Sequence, residues 1–450
     1  MEARLSPASY HSAVTQPKRQ LGLAAAIAVV TGESIALGIF LTPAAMAKSL
    51  GSPLLLAVVW CAMAFMAMCG ALCYAELAVR FPQAGGEYVY LREGYGERLA
   101  FFYGWMSAAV LDPGLAAALS VGATAYVLAI VPLSRPVAAI FPVLILLALA
   151  AINFLGTRLS GRVMTTANLL KIFVLITLVA WTFAAGRGSV HNLLPLTARR
   201  TGSEALIPAI ASAAINAFFC FGGWWEAGKL AGEIKDPRKN LPRAFLGGVA
   251  LVTAVYVLIT FAFLYVVPLQ QIVSNNAFVA QFGGALFGSA GARLLSGCVL
   301  ISVFGGLMAL TMTAPRVYYA MASDGVFFPA FARLHPRFGS PFSGILLQTA
   351  LGIAVLALGA FDRILAYVIF SAVAFLALSA AALFRLRPRV VARWHPVAPM
   401  VFIVGCVAIG LLILMHDPLP ALLGAAMVLA GGLLRYFFVP ARPPRGSDAQ

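Results

Sequence analysis

Long apolar runs separated by short polar intervals fill this chain, and the length of the runs identifies them. A helix crosses the hydrocarbon core of a bilayer with roughly 20 apolar residues. Twelve stretches of that kind occupy nearly the whole sequence, at approximately 21–50, 53–80, 98–131, 136–157, 163–185, 205–231, 243–267, 286–321, 341–358, 363–386, 397–416 and 419–440. Transmembrane β-strands would read as alternating segments of about ten residues. The pattern therefore predicts an all-α membrane protein with twelve transmembrane helices and no room for a soluble domain.

Two spans are interrupted at corresponding places, the first and the sixth. Gly32-Glu33-Ser34-Ile35-Ala36-Leu37-Gly38 breaks one apolar run, and Gly222-Gly223 followed by Trp224-Trp225-Glu226 breaks the other. Glycine destabilises a helix interior, and paired interruptions in two halves point to discontinuous helices in an inverted-repeat transporter. The alternative is that the glycines only let helices pack closely. Glu33 and Glu226 favour the breaks, because an ionisable group at membrane depth normally faces protein or a water-filled cavity. The breaks recur five helices apart, and an odd number of helices per repeat means that the repeats are expected to be inverted: 21–185 and 205–386, with two additional helices in 397–440 and tails at 1–20 and 441–450.

Composition agrees, with 62% hydrophobic and 10% charged residues. The net charge of +16 raises nucleic-acid binding as a question, and the placement of the charges answers it. With a cytoplasmic N-terminus, 23 Lys and Arg residues fall inside and seven outside, leaving Lys171 within the fifth span. The positive-inside rule then puts both termini in the cytoplasm, as expected for a multi-pass protein of the cell inner membrane, with the lipid bilayer and not nucleic acid as its partner. The six cysteines all lie in apolar spans and read as small hydrophobes. The first span runs too long for a signal h-region and is expected to remain in the mature chain.

Five ordered motifs then carry a resemblance. Gly38-Ile39-Phe40-Leu41-Thr42-Pro43 is similar to G-S-G-I-F-x-x-P, and Gly70-Ala71-Leu72-Cys73-Tyr74-Ala75-Glu76-Leu77 ends the second span. Pro82, Gly85-Gly86-Glu87-Tyr88 and Tyr95-Gly96 resemble a first cytoplasmic loop P-x-x-G-G-[DE]-Y. Phe219-Cys220-Phe221-Gly222-Gly223-Trp224, then Glu233, Asp236-Pro237 and Asn240-Leu241-Pro242-Arg243, is similar to F-A-Y-G-G-W followed by E-x-x-x-P-x-x-N-L-P-R. Ser302-Val303-Phe304-Gly305-Gly306 leads to Arg316, Ala322 and Asp324-Gly325. From about Leu21 to about Arg387 the sequence resembles the L-amino acid transporter branch of the amino acid-polyamine-organocation superfamily.

The resemblance implies a secondary transporter that moves amino acids by alternating access. It places the substrate carboxylate on the N–H groups of Leu37 and Gly38, and its amino group on the carbonyls of Ser34, Ile35 and Phe219. Side-chain choice would fall to Phe221, Trp224 and Trp225 beside Gly222, to Asp112 in the third span and to Tyr367 in the tenth. Interfacial anchoring is the other reading of the tryptophan pair. Lys171 resembles a built-in cation in the place where sodium-coupled relatives bind an ion, so transport is expected to be sodium-independent; a lysine reaching water along its stem is the alternative. Glu33, where relatives commonly carry a small polar residue, is the candidate for proton coupling. Glu76, at a span's end, reads as a solvated or loop-pairing residue. Two departures bear on specificity: G-S-G is Ala36-Leu37-Gly38 here, and the usual Asn after Gly-Gly-Trp is Trp225. The loop 131–136 has no cysteine, so no disulfide-linked heavy subunit is expected.

An enzyme is not expected. His11, His191, His335, His395 and His416 lie in tails or loops, and HExxH, GxSxG and P-loop motifs are missing; neither a catalytic residue, a metal nor a cofactor is called for. An amino-acid-sensing receptor on the same fold is a second reading. Glu33, Asp112 and Glu226 against Lys171 and Lys229 leave a cationic amino acid or a polyamine as the alternative substrate. Glu226 and Lys229 are three apart, a spacing that lets them pair on a helix.

Overall fold

Backbone N–H and C=O groups find no partner in hydrocarbon, so apolar runs of this length satisfy them internally as helices. The computed structural model describes residues 17–131, 133–272, 278–357, 361–386, 394, 396–416 and 418–438; most of both expected tails falls outside them. In chain order the helices are α1 (Leu23–Ser34), α2 (Gly38–Leu50), α3 (Pro53–Arg80), α4 (Glu87–Tyr95), α5 (Glu97–Met106), α6 (Asp112–Ile130), α7 (Arg135–Phe154), α8 (Thr157–Ala184), α9 (Leu206–Phe221), α10 (Pro237–Val266), α11 (Gly283–Phe287), α12 (Gly291–Thr313), α13 (Pro315–Ser323), α14 (Phe342–Leu356), α15 (Phe361–Arg385), α16 (Val397–His416) and α17 (Leu419–Phe438). The protein is all-helical among the described residues, apart from one isolated bridge.

Among the described residues eight spans are long and apolar enough to cross a membrane, and α1 with α2 makes a ninth, bent by 42°. Shorter apolar helices at Phe342–Leu356, Ile369–Arg385 and Ala426–Tyr436 occupy the remaining expected places. This is consistent with twelve spans in a multi-pass membrane protein. The outer surface suits lipid: α8 turns Leu169, Leu170 and Phe173 outward while Met164, Asn168 and Lys171 face in.

Several helices extend beyond the apolar runs that predict them. The seventh span starts at Pro237 instead of 243 and the fifth at Thr157 instead of 163, because their first turns are polar and carry no hydropathy signal. Proline suits the first turn of a helix, where its missing N–H has no intrahelical use. The third span contains a π turn, Ser107–Leu111, immediately before Asp112, and the eighth divides at Pro315 into α12 and α13.

The centre of the bundle is α1, packed against α8, α10, α12 and the turn that follows α9. At one end the chain entering α1 is tied to the segment after the sixth span: Gln20 N donates to Glu233 O at 2.8 Å, Lys235 N to Leu21 O at 2.8 Å and Arg19 Nη1 to Ile234 O at 3.1 Å. Below that tie Arg316 and Glu233, both buried, pair at 2.6 Å, and Arg316 also donates to Thr157 Oγ1 at 3.0 Å. Glu76, expected to be solvated or to pair with a loop, pairs instead with Arg80 four residues on in the same helix, α3. Lys229, one of the 23 residues that the charge count assigns to the cytoplasmic side, is instead buried in the bundle. The expected loop residue Glu87 is buried as well and opens α4: the segment between the second and third spans folds back into the protein.

Candidate functional site

Both sequence interruptions are breaks. α1 ends at Ser34, Ile35 leaves the helical region at ψ 66°, and α2 begins at Gly38. α9 ends at Phe221, Gly222 is extended at ψ 154°, and Gly223 has φ +95°, a left-handed conformation that L side chains rarely adopt. Beyond it the sixth span continues as a 3-10 turn, Trp224–Leu230, rather than an α-helix. Each break exposes main-chain carbonyls at the end of one half-helix and N–H groups at the start of the next, with the dipole ends to match.

The two breaks are joined to each other. Ser34 Oγ donates to Phe221 O at 3.3 Å, and the Tyr256 hydroxyl from α10 reaches both Cys220 O, at 2.7 Å, and Ser34 O. A phenol has one proton, so it satisfies one of these carbonyls at a time. On the far side of α1, Lys171 Nζ donates to Thr31 O (3.3 Å), Gly32 O (3.0 Å) and Ile35 O (2.7 Å), using all three of its protons. Ser302 Oγ from α12 meets Ile35 O at 2.7 Å and Ala36 O at 3.1 Å. Lys171 is 1% exposed; it points into the bundle and does not snorkel.

Between the breaks lies a cavity of about 70 Å³, lined by α1 and α2 (Glu33, Ser34, Ala36, Gly38), α6 (Leu115, Leu119), the sixth span (Phe218, Phe219, Gly222, Gly223, Trp225, Glu226) and α15 (Ile369, Ala372). It brings together Glu33, Ser34, Gly38, Phe219, Gly222 and Trp225 of the expected residues. Others stand elsewhere. Leu37 caps α2 with its side chain buried in the core. Ile35 O accepts from Lys171 and shares the single Ser302 proton with Ala36 O, so it faces α8 and α12, and Ile35 is not among the residues lining this cavity. Phe221 packs on Trp60 and Tyr256, and Trp224 on Tyr74, Phe245 and Phe402; neither lines this cavity, because the break turns them toward α3 and α10 and leaves Phe218 and Trp225 on the cavity side. Tyr367 falls on α15, but its side chain is outside the described residues.

Asp112 faces a second cavity, of about 50 Å³, whose lining includes Glu87, Tyr103, Asp112, Trp225, Glu226 and Lys229. Leu115, Trp225, Glu226 and Ala372 border both cavities. Lys229 Nζ sits between Asp112 Oδ1 at 3.0 Å and Glu226 Oε2 at 2.8 Å, so the three-residue spacing does pair Glu226 with Lys229. Tyr103 donates to Glu87 Oε2 at 3.1 Å. Thr313 Oγ1 lies 2.9 Å from Glu226 Oε2 and 3.3 Å from Glu33 Oε1.

Sequence reasoning did not single out Tyr256, Ser302, Thr313 or Glu87. Ser302 and Glu87 stood in motifs read for their glycines, whereas Tyr256 and Thr313 are isolated hydroxyls in apolar runs.

The sequence model for amino acid permeases matches residues 21–439. The serine/threonine exchanger SteT of Bacillus subtilis (strain 168) is 30% identical over 377 residues, covering 83% of this chain and 84% of that protein. The large neutral amino acids transporter small subunit 2 of Homo sapiens is 30% identical over 336 residues, 73% of this chain and 62% of that one. The Asc-type amino acid transporter 1 of Mus musculus is 29% identical over 358 residues, 78% and 67% of the two chains. These similarities join the broken spans to a chemistry of amino-acid movement and not of catalysis: the chain belongs to the amino acid permease family, within the amino acid-polyamine-organocation superfamily.

Proposed function

We propose that the protein is a secondary transporter that carries amino acids across the membrane by alternating access, with the substrate held between the two breaks. The observation that carries this reading is the cavity itself, bounded on opposite sides by the unwound ends of α1 and α9. A zwitterion at membrane depth needs partners for both charges. The first N–H groups of α2, at Gly38 and just before it at Leu37, suit the carboxylate. The carbonyls of Ser34 and Phe219 suit the ammonium: Phe219 O accepts one hydrogen bond, from Gly222 N, and Ser34 O accepts from Ala36 N and shares the single Tyr256 proton with Cys220 O, so each keeps acceptor capacity when that proton turns to Cys220.

Lys171 is the resident cation in this proposal. Its contacts with the end of α1 are those a bound metal cation would make to main-chain oxygens, so sodium is not needed. Glu33 is the proton-coupling group, faced by Glu226, Lys229 and Asp112 and, across α1, by Lys171. Residues 21–185 and 205–386 form the two inverted five-helix units, and the protein works without a disulfide-linked heavy subunit. The termini lie in the cytoplasm and the membrane is the cell inner membrane. Reporter fusions after Gly232 and Arg389 are expected to report cytoplasm and one after Arg199 the outside; a reversed pattern would sink this topology.

The test is flux. Purified protein in liposomes loaded with one unlabelled amino acid is expected to take up labelled amino acids without sodium, and an inward proton gradient is expected to drive accumulation. Binding without flux would instead indicate a sensor. Trp225, on the wall of both cavities, sets side-chain range in this reading. Trp225→Asn enlarges that wall and is expected to shift competition across a panel of amino acids toward bulkier members by several fold; an unchanged profile would place Trp225 outside the side-chain site.

A further inference from the structure

Resting on the reading that an amino acid occupies the cavity between the breaks, we propose that this protein selects amino acids whose side chain carries a positive charge, and that Glu33 and Glu226 form the subsite for that charge. Glu33 is 7% exposed, and its Oε2 has no hydrogen-bond partner although its carboxyl lines the cavity. Thr313 does not remove the deficit. Its single proton is shared among Glu33 Oε1, Glu226 Oε2 and Leu310 O, so it satisfies one of the three.

The charge count points the same way. Four buried carboxyls, Glu33, Glu87, Asp112 and Glu226, surround one ammonium, Lys229, which among the described residues forms ion pairs within 4 Å only with Asp112 and Glu226. Among the described residues Glu33 and Glu87 make no ion pair. Lys171, the other buried lysine nearby, has all three protons on main-chain carbonyls. A ligand cation at Glu33 would supply the missing partner.

The shape of the site suits a cationic stem. Leu115, Leu119 and Phe218 offer apolar surface to methylenes, and the half-buried Trp225 offers an aromatic face to an ammonium or guanidinium. Glu226 borders both cavities, so a side chain that extends from the breaks toward the second cavity would approach carboxylates. A neutral side chain of equal length leaves Glu33 unpaired, and a site built to bond a polar group discriminates strongly against an analogue that lacks it.

Lysine and norleucine separate this from its rivals, since they share a four-carbon stem and differ in the terminal ammonium. Liposomes containing the wild-type protein are preloaded with unlabelled lysine, norleucine or cadaverine, and entry of the same labelled compound is followed so that exchange moves no net charge. Lysine is expected to exchange with an apparent affinity about tenfold or more above that of norleucine, and Glu33→Gln is expected to collapse that ratio toward one. Norleucine exchanging as well as lysine, or in its place, would overturn the subsite while leaving the amino-acid reading intact; Glu33 would then serve the proton or the α-ammonium alone. A lysine preference that survives Glu33→Gln also overturns it. If that variant does not fold, the wild-type ratio decides. Exchange of cadaverine with neither amino acid supports the amine subsite and overturns the amino-acid reading beneath it.

Discussion

Replacing Lys171 with alanine is expected to lower the rate of amino-acid uptake about a hundredfold, the order that follows from losing one charged donor in a buried site at ~1.5–3 kcal/mol. The reason lies in what remains behind. Thr31 O keeps the bond from Ile35 N, and Ile35 O keeps the one from Ser302. Gly32 O loses the lysine proton, and the negative end of the α1 half-helix loses its cation in a medium that screens poorly. The break would then close or wander, and with it the end of α1 that lines the cavity. Lys171→Arg is not expected to restore transport, because a planar guanidinium cannot place its donors on three converging carbonyls as an ammonium does. The measurement is initial uptake in liposomes at matched protein levels. Activity close to the parent's would remove Lys171 from the mechanism, and a parent that runs only with sodium would contradict the resident cation.

Gly222→Val is expected to abolish transport while leaving a folded protein. At φ −55° and ψ 154° this glycine occupies backbone space open to any residue, so valine introduces no conformational strain there. Its Cβ would lie 3.1 Å from Phe219 O and 3.5 Å from Trp225 Cη2, between a carbonyl assigned to the substrate ammonium and the aromatic wall, and its two methyl groups would enlarge that intrusion. Gly223→Val is the contrast. There φ is +95° and the added Cβ would fall 2.5 Å from Glu33 Cβ, so expression and melting temperature are expected to drop. Uptake and thermal melting of the two variants separate a blocked site from a broken fold. Undiminished uptake by Gly222→Val would make the glycine pair a packing device.

The breaks, the spans and the inward lysine were legible in sequence because each violates a local rule: glycine and carboxylates within apolar runs, and a lysine with apolar neighbours on both sides. What was not legible depends on direction. The periodicity of an intact helix does not continue through Gly222-Gly223, so the sequence alone could not tell that Phe218 and Trp225 face the cavity while Phe221 and Trp224 face α3 and α10. Glu87 read as a loop residue because nothing local records that the loop folds inward. Tyr256 is one tyrosine in an apolar run, and its contact with both breaks, 222 residues from Ser34 and 36 from Cys220, exists only once α10 packs across them.

A density map of the purified protein saturated with an amino acid it transports tests most directly where the substrate sits. The account predicts the ligand in the cavity between α1 and α9, its carboxylate against the start of α2 at Leu37 and Gly38, its α-ammonium toward Ser34 O and Phe219 O, and its side chain running past Trp225 toward Glu226. Ligand density outside the space between the two breaks, or a carboxylate turned away from the α2 N-terminus, would contradict it.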